Sequence, residues 1–573
     1  MAFSPSSVRM LINIMFKQKL KDFFGNNKLK QTKAENWAHK VVVYQIYPRS
    51  FRDTDNNGIG DLEGIIEKLD YLNDGTEDSL GVGAIWLSSI YKSPMIDFGY
   101  DVSDYYDIDP IFGDMKTFDK LIKEAHRRGI KVIMDFVPNH TSSQHPWFIE
   151  SRSSKDNPKR NWYIWKDPVR QLADSSKIPP TNLLSFFGGP AWTYDKKTGQ
   201  YYHHSFLPEQ PDLNWRNPEV KNEMIKVLKF WMAKGVDGFR IDSIYHLVED
   251  DEYRDDPPNP NYVPGKDDPY NELLHLYSQG RPETLSSLNS FCEVLDEYHG
   301  KFMVTESELN LPEMVKFYKT CANKPYAPFN FNLMSLPWDA NAYKKFIDDF
   351  ENSITPGSSP NYVMGNHDRP RLTSRLGRER ARLAAMLLLT LRGIPFIYYG
   401  DELGIKDVKI PLDEIKDPWE KRVPGFNLGR DPERTPMQWN NEKYAGFSDV
   451  KPWLPIDIER KQHNVENESE DPQSVLNLYR QLIHYRNGSK ALLEGKYNSV
   501  ELGQKDIFAF TRTDGEKILV ILNFAANTKE VQVPGIKKGE TVMSTYMDRE
   551  PGNEVDLNNF LLRPNEGLLL KIV

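Results

Sequence analysis

Three short segments of this chain each close a strand-like run with one carboxylate: GFRID at Asp242, FMVTE at Glu306 and YVMGNHD at Asp368. Cleaving a glycosidic bond needs two carboxyl groups of opposite protonation flanking it, and a third can orient the sugar. An ionised carboxylate facing an anomeric carbon can attack it and form a glycosyl ester. Arg240 stands two residues before Asp242, on the same face of a strand, and a guanidinium there favours the charged aspartate. A structural Arg–Asp pair capping a strand is the plain alternative; the full GFRID segment followed by His246 favours the chemical one. Glu306 is the candidate acid/base. It must give a proton to the leaving oxygen and later take one from water, so an apolar wall or a neighbouring anion should raise its pKa. Glu308, two residues on, competes for that role and is read as an exposed or supporting acid.

These carboxylates need a scaffold that brings strand ends together. Apolar runs separated by helix-like stretches read as buried parallel strands. Such runs are expected at residues 42–47, 82–88, 131–137, 236–242, 302–306, 328–333, 362–366 and 393–399, with helices near 62–72 and 117–128. Eight strand–helix units predict closure into a (β/α)8 barrel, which keeps its chemistry at the C-terminal ends of the strands. Two insertions break the rhythm: residues 141–215, rich in Trp, Tyr, Gly and Pro, and residues 405–470, rich in Asp, Glu, Pro and Asn. Loops this long in a compact domain are usually functional. Beyond about residue 498 the runs 506–512, 517–524 and 568–573 alternate or stay apolar. With turns at Asp514-Gly515 and Pro534-Gly535 they predict a small antiparallel β-sandwich.

Composition narrows the function classes. An apolar share of 39% and a charged share of 27% suit a globular chain. The net charge of −9 is spread without a basic stripe, so nucleic acid is not expected as a partner. Aromatics reach 12%, and flat amphipathic rings suit a half-wet sugar-binding cleft. Two cysteines, Cys292 and Cys321, argue against a disulfide framework and a structural zinc site, leaving a single bridge open. Residues 10–16 form a short apolar run, but lysines follow at once and no small-residue cleavage site appears. Residues 1–36 therefore read as a basic extension, and no stretch is long enough to span a bilayer. A cytoplasmic home is expected, with secretion as the alternative; the oligomeric state stays open.

At these motifs the sequence resembles the α-amylase superfamily of glycoside hydrolases, most of all its α-glucosidase and oligo-1,6-glucosidase branch. The resemblance runs from about residue 37 to the end. It implies a barrel of residues 37–140 and 216–490, an inserted domain B of residues 141–215 forming one cleft wall, and a C-terminal β-sandwich of residues 491–573. It implies Asp242 as nucleophile, Glu306 as acid/base and Asp368 as the carboxylate that binds sugar hydroxyls and helps distort the ring. His140 and His367 resemble the imidazoles that hydrogen-bond the same sugar, and His246 joins the expected substrate-binding set. Asp97 and Tyr100 resemble the acid that binds the 4-OH of a terminal glucose and the ring stacked beneath it. Arg371 resembles the arginine paired with that acid. Such a pair closes the glycone end and favours exo-cleavage of short substrates. QPDLN, residues 210–214, resembles the oligo-1,6-glucosidase form of its motif, and Phe187 and Phe206 resemble rings lining the cleft. Ser243, where α-1,6-cleaving relatives carry valine, favours α-1,4 linkages. Ser89 and Tyr399 depart from the proline and glutamine common in the family.

A metal signal stands apart. In DTDNNGIGD, Asp53, Asp55, Asn57, the Ile59 carbonyl and Asp61 place oxygens at alternate positions around Gly58, which suits a hard cation. The resemblance implies Ca2+, structural rather than catalytic. The expected partner is a disaccharide or short oligosaccharide. A transglycosylating or isomerising relative is the alternative, and a non-catalytic transporter-ancillary protein on the same fold is the alternative of another class.

Overall fold

The computed structural model describes residues 37–170 and 177–572. The extension read at residues 1–36 lies outside them. Eight strands share one sheet: β1 (Val43–Ile46), β2 (Ala84–Leu87), β3 (Lys131–Phe136), β4 (Gly238–Ile241), β5 (Phe302–Thr305), β6 (Tyr326–Pro328), β7 (Asn361–Val363) and β8 (Ile394–Tyr398). They lie in the order β6-β5-β4-β3-β2-β1-β8-β7 and pair in parallel throughout. Nearly every strand residue is buried, because a barrel strand faces side chains within and helices without. The seam between β6 and β7 is stitched by a side chain: Asn361 accepts from the Asn330 amide at 3.2 Å and donates to the Ile394 carbonyl at 3.0 Å.

The sixth strand corrects the sequence reading. It spans Tyr326–Pro328, and Asn332–Ser335 is a helical turn. The apolar run places the expected strand too late because Phe329 and Phe331 continue it past Pro328; their rings stack at 5.3 Å in the loop above the barrel.

Helices cover the sheet for local reasons. Pro218–Ala233 starts with Asn217 capping the Glu219 amide and proline in the first turn. It buries Val220, Met224, Val227, Leu228 and Trp231, a helical-period stripe, and truncating one such side chain to alanine costs about 2–5 kcal/mol. The helix Glu283–Glu297 is bridged to the end of Leu311–Thr320 by a Cys292–Cys321 disulfide, with Cα atoms 5.9 Å apart.

The segment after β3 carries a small sheet of Trp165–Lys166, Gln200–His203 and Trp192–Asp195, in that spatial order. The bridges His140↔Asp212 and Tyr163↔Leu213 return it to the barrel. Past residue 495, a six-stranded antiparallel sheet builds on the hairpin Ile507–Asp514 and Glu516–Asn523, whose turn uses Gly515 at φ 71°. The alternation of its strands assigns their faces. Phe508, Phe510, Ile518 and Val520 join the barrel core, while Ile507, Ala509, Leu519 and Ile521 form a separate core with Leu568 and Leu570. Among the described residues no helix is long and apolar enough to cross a membrane.

Candidate active site

Asp242 directly follows β4, Glu306 directly follows β5, and Asp368 lies just past β7, so all three emerge at the C-terminal end of the barrel. They line one cavity of about 540 Å³. The buried guanidinium of Arg240 organises its floor: one nitrogen lies 2.6 Å from Asp242 and the other 2.7 Å from Glu306. It also approaches Asp135 at 3.4 Å. Ser243 turns the chain away from Asp242 in a left-handed conformation, φ 46°, and its amide donates to Glu306 at 3.2 Å. A non-glycine residue held there stores strain of the kind found at functional sites.

The electrostatics separate the three acids. Burial raises Asp242 to about 6, against the pull of Arg240. Burial raises Glu306 further, to about 7, again against Arg240, with Asp242 and Asp368 adding to the rise. For Asp368 burial works upward too, but the neighbouring His367 and the guanidiniums of Arg434 and Arg430 outweigh it and hold it well below the usual carboxylate range. Because burial keeps His367 itself far below its ordinary value, hence neutral, the two arginines carry this effect. Arg434 lies 2.6 Å from Asp368, and Arg430 lies 3.3 Å away.

Arg371 does not pair with Asp97. Its side chain is buried beneath the site, donating to the Tyr399 carbonyl at 2.7 Å and lying over the rings of Tyr398 and Tyr399. The partner of Asp97 is Arg430, at 2.8 Å, itself anchored by Asp417 at 2.7 Å. The resemblance does not carry over at this position: Arg371 already caps the helix Leu372–Leu376, and it is not among the residues that line the cavity. Arg430, Arg434 and Asp417 are not among the residues that the sequence singles out; they stand in the long excursion after β8, which its length alone marks as functional. Asp135 was missed too; it accepts from Tyr100 at 2.6 Å and from Trp86 at 2.6 Å.

The other expected residues fall around the cavity. Tyr100 stacks on His367 at 5.6 Å and bonds to its ring at 2.6 Å. His140 contacts the Tyr100 carbonyl and Gln210, each at 3.1 Å, and Gln210 also donates to Asp97 at 3.1 Å. Phe206 packs edge-on to His140, and Phe187 lies under the Arg430 guanidinium at 4.8 Å. Both ring nitrogens of His246 are buried without a protein partner, in the cavity wall. The loop carrying Asp97 bends through Met95, Phe98 and Gly99, all at positive φ. Two contacts fix it. Asp101 accepts from the Asp97 amide at 3.0 Å, and the Ser89 hydroxyl donates to the Gly99 carbonyl at 2.5 Å. A proline at position 89 could not make that bond, so this departure from the family pattern has a local use. Tyr399 likewise donates to the Thr435 carbonyl at 2.6 Å.

In the loop after β1, oxygens of Asp53, Asp55 and Asp61 converge within 4.8 Å of one another. Burial, with Asp53 and Asp61 beside it, raises Asp55. With the Asn57 side chain and Ile59 carbonyl the available donors are all oxygen, which fits a hard cation.

Comparison with known proteins agrees with this geometry. Residues 45–495 match the family described as "Alpha amylase, catalytic domain". The chain belongs to the α-amylase family. It is a glycoside hydrolase by that membership. The chain is 39% identical over 516 residues to an alpha-glucosidase of Apis mellifera, covering 88% of this chain and 87% of that one. It is 37% identical over 575 residues to an oligo-1,6-glucosidase of Parageobacillus thermoglucosidasius, covering 94% and 99%. Among solved structures, an alpha-glucosyl transfer enzyme superposes with a TM-score of 0.85 at 36% identity, covering 95% of this chain and 100% of that one. The trehalulose synthase of Pseudomonas mesoacidophila MX-45 gives 0.83 at 33% identity, with 94% and 99% covered.

Proposed function

We propose that this chain is a retaining, exo-acting α-glucosidase that removes terminal α-linked glucose from maltose-sized substrates. One observation carries the reading: Arg430 ties Asp97 to Asp368 and so closes one end of the cavity that holds the three carboxylates. A cavity closed at the glycone end admits a chain terminus and excludes a polymer threading through. Retention is supported by Arg240, which holds Asp242 and Glu306 side by side on adjacent nitrogens. Retaining enzymes keep these groups about 5 to 5.5 Å apart, whereas inverting ones leave room for a water between them.

In the first half-reaction Asp242 attacks the anomeric carbon as Glu306 protonates the leaving oxygen. In the second, Glu306 takes a proton from water, which releases α-glucose and frees Asp242. Asp97 with Arg430 binds the far hydroxyls of the glucose, Asp368 and His367 hold its near ones, and Tyr100 lies beneath the ring. A sugar replacing water in the second step would give transfer, the activity of one structural relative, an alpha-glucosyl transfer enzyme.

We further propose that Asp53, Asp55, Asn57, the Ile59 carbonyl and Asp61 hold Ca2+, which stabilises the loop and takes no part in the reaction. The Cys292–Cys321 bridge favours an oxidising compartment over the expected cytoplasmic one; a mobility shift on reduction of protein from its native source checks this.

The deciding experiment is NMR of maltose hydrolysis. α-Glucose should appear first, and Asp242→Asn should remove turnover while leaving the fold intact. Early β-glucose would overturn the nucleophile assignment.

A further inference from the structure

Gln45 is the one side-chain amide in β1, a strand whose four residues are all buried. An amide taken into such an interior costs free energy unless its polar atoms are met. Its nitrogen lies 2.7 Å from Nδ1 of His367 and 3.3 Å from the hydroxyl of Ser88, which directly follows β2. Its oxygen has no protein partner among the described residues. The opposite setting of the amide would leave two buried N–H groups unmet instead of one oxygen, and buried donors go unpaired more rarely than carbonyl oxygens. The amide therefore donates, and Nδ1 accepts.

Burial keeps His367 neutral, and a neutral imidazole carries one proton. With Nδ1 accepting, that proton sits on Nε2. The surroundings of Nε2 agree: it faces the Tyr100 hydroxyl at 2.6 Å and a carboxylate oxygen of Asp368 at 3.3 Å. An ionised carboxylate only accepts, so a bare ring lone pair turned toward it would be repelled. Tyr100 in turn gives its own proton to Asp135 at 2.6 Å. Donation thus runs one way, from Gln45 through His367 and Tyr100 to Asp135. Turning the ring over would set carbons against both polar partners, and Tyr100 and Tyr47 stack on it at 5.6 and 5.8 Å.

We propose that Gln45 is a positioning residue for the bound glucose: its amide fixes the tautomer of His367, which then meets the sugar as a hydrogen-bond donor beside the accepting Asp368. The proposal rests on the α-glucosidase reading and adds to it the polarity of one sugar contact. His367 and Asp368 both line the cavity, whereas Gln45 does not and works only through the ring. The Nε2–H is shared between the Tyr100 oxygen and a sugar hydroxyl, and that hydroxyl gives its own proton to Asp368. The opposite tautomer would set two acceptors against one hydroxyl proton. One of them would then stay unpaired in a buried site, which costs as much as a lost hydrogen bond or more.

Nitrogen-15 NMR of the histidine-labelled enzyme reads the tautomer directly, with the His367 signals assigned by their loss in His367→Asn. In wild type Nε2 should be protonated and Nδ1 bare. Gln45→Glu keeps the size and exchanges the donor for an acceptor. It should put a proton on Nδ1 and lower kcat/KM on maltose by roughly tenfold, the worth of one hydrogen bond. Gln45→Met keeps the shape without a donor; its ring should show both tautomers and its kcat/KM should fall between the other two. Melting temperatures separate this from a packing effect, since activity should follow the proton and not the stability. A wild-type ring protonated at Nδ1 overturns the proposal, whether or not either variant folds. So does Gln45→Glu with the wild-type pattern, or with a moved proton and unchanged kcat/KM. A wild type that releases no glucose from maltose would instead overturn the α-glucosidase reading, and the spectrum would still decide the tautomer.

Discussion

Arg430 and Asp97 lie 333 residues apart in the chain and 2.8 Å apart in the fold. The same guanidinium reaches Asp417 and Asp368, so one cation ties the end of the cavity to one of its three carboxylates. Arg430→Lys keeps the charge and loses the fork that spans three acids. Turnover of maltose is expected to fall by about a hundredfold or more, since small misplacements at a reacting centre have that effect. Arg371→Lys, away from the cavity, should not reproduce it. Kinetics of the two variants on maltose check the reassignment; equal losses would refute it.

Activity should follow a bell-shaped pH profile. The rising limb is ionisation of Asp242, at about 6, and the falling limb is loss of the Glu306 proton, at about 7. These groups interact, so the limbs report the pair as a unit, and the optimum should lie between them. Glu306→Gln should cost roughly 10²–10⁴-fold on maltose and abolish the falling limb. An optimum above pH 8 would contradict the assignment of acid and nucleophile.

Linkage preference turns on Ser243. Its side chain follows the nucleophile directly and lines the cavity. Wild type should prefer maltose to isomaltose in kcat/KM, and Ser243→Val should move the ratio toward isomaltose, because a stiff β-branched side chain excludes one approach of the leaving sugar. Valine at a positive φ should also lower the melting temperature. The ratio of the two substrates is insensitive to that loss, so an unchanged ratio would remove Ser243 from the specificity argument.

The loop of Asp53, Asp55 and Asp61 predicts a metal-linked stability. An ion bound only by the folded state adds about 2.7 kcal/mol at a hundredfold excess over Kd. Chelation should lower the melting temperature, and Asp55→Ala should lower it without further response to chelator. Calorimetry with and without Ca2+ measures both; a chelator-insensitive wild type would leave the loop as a plain acidic turn.

A buried histidine links stability to pH. Burial disfavours the charged His203 ring, but hydrogen bonds to Asp212 and Glu249 win and raise it to about 10. Its ring nitrogen lies 2.9 Å from Asp212 and 3.4 Å from Glu249. Asp212 is held low by this partner despite burial, whereas for Glu249 burial prevails and raises it. A folded value above the unfolded one, about 6.5, means the stabilisation is complete below about pH 6.5 and fades as pH climbs toward 10. The melting-temperature gap between wild type and His203→Gln should shrink across that window. A gap that widens with pH would reverse the sign.

The sequence by itself determined the architecture and the strand ends that carry the three carboxylates. Apolar runs too short and too continuous for amphipathic helices could only be buried strands, and a carboxylate closing each of β4 and β5 could only emerge at one end of a barrel. Strand period also determined the faces of the C-terminal sheet around Phe508 and Ile507. Tertiary structure alone decided who meets whom across the cleft. Arg430 and Arg434 sit in a loop without periodicity, and nothing local to them points at Asp97 or Asp368. Arg371 carries the expected spacing but turns under Tyr399. Backbone patterns are written in neighbouring residues because hydrogen bonding and burial repeat along the chain. Side-chain partnerships across hundreds of residues obey no such repeat, and they form only when the barrel closes.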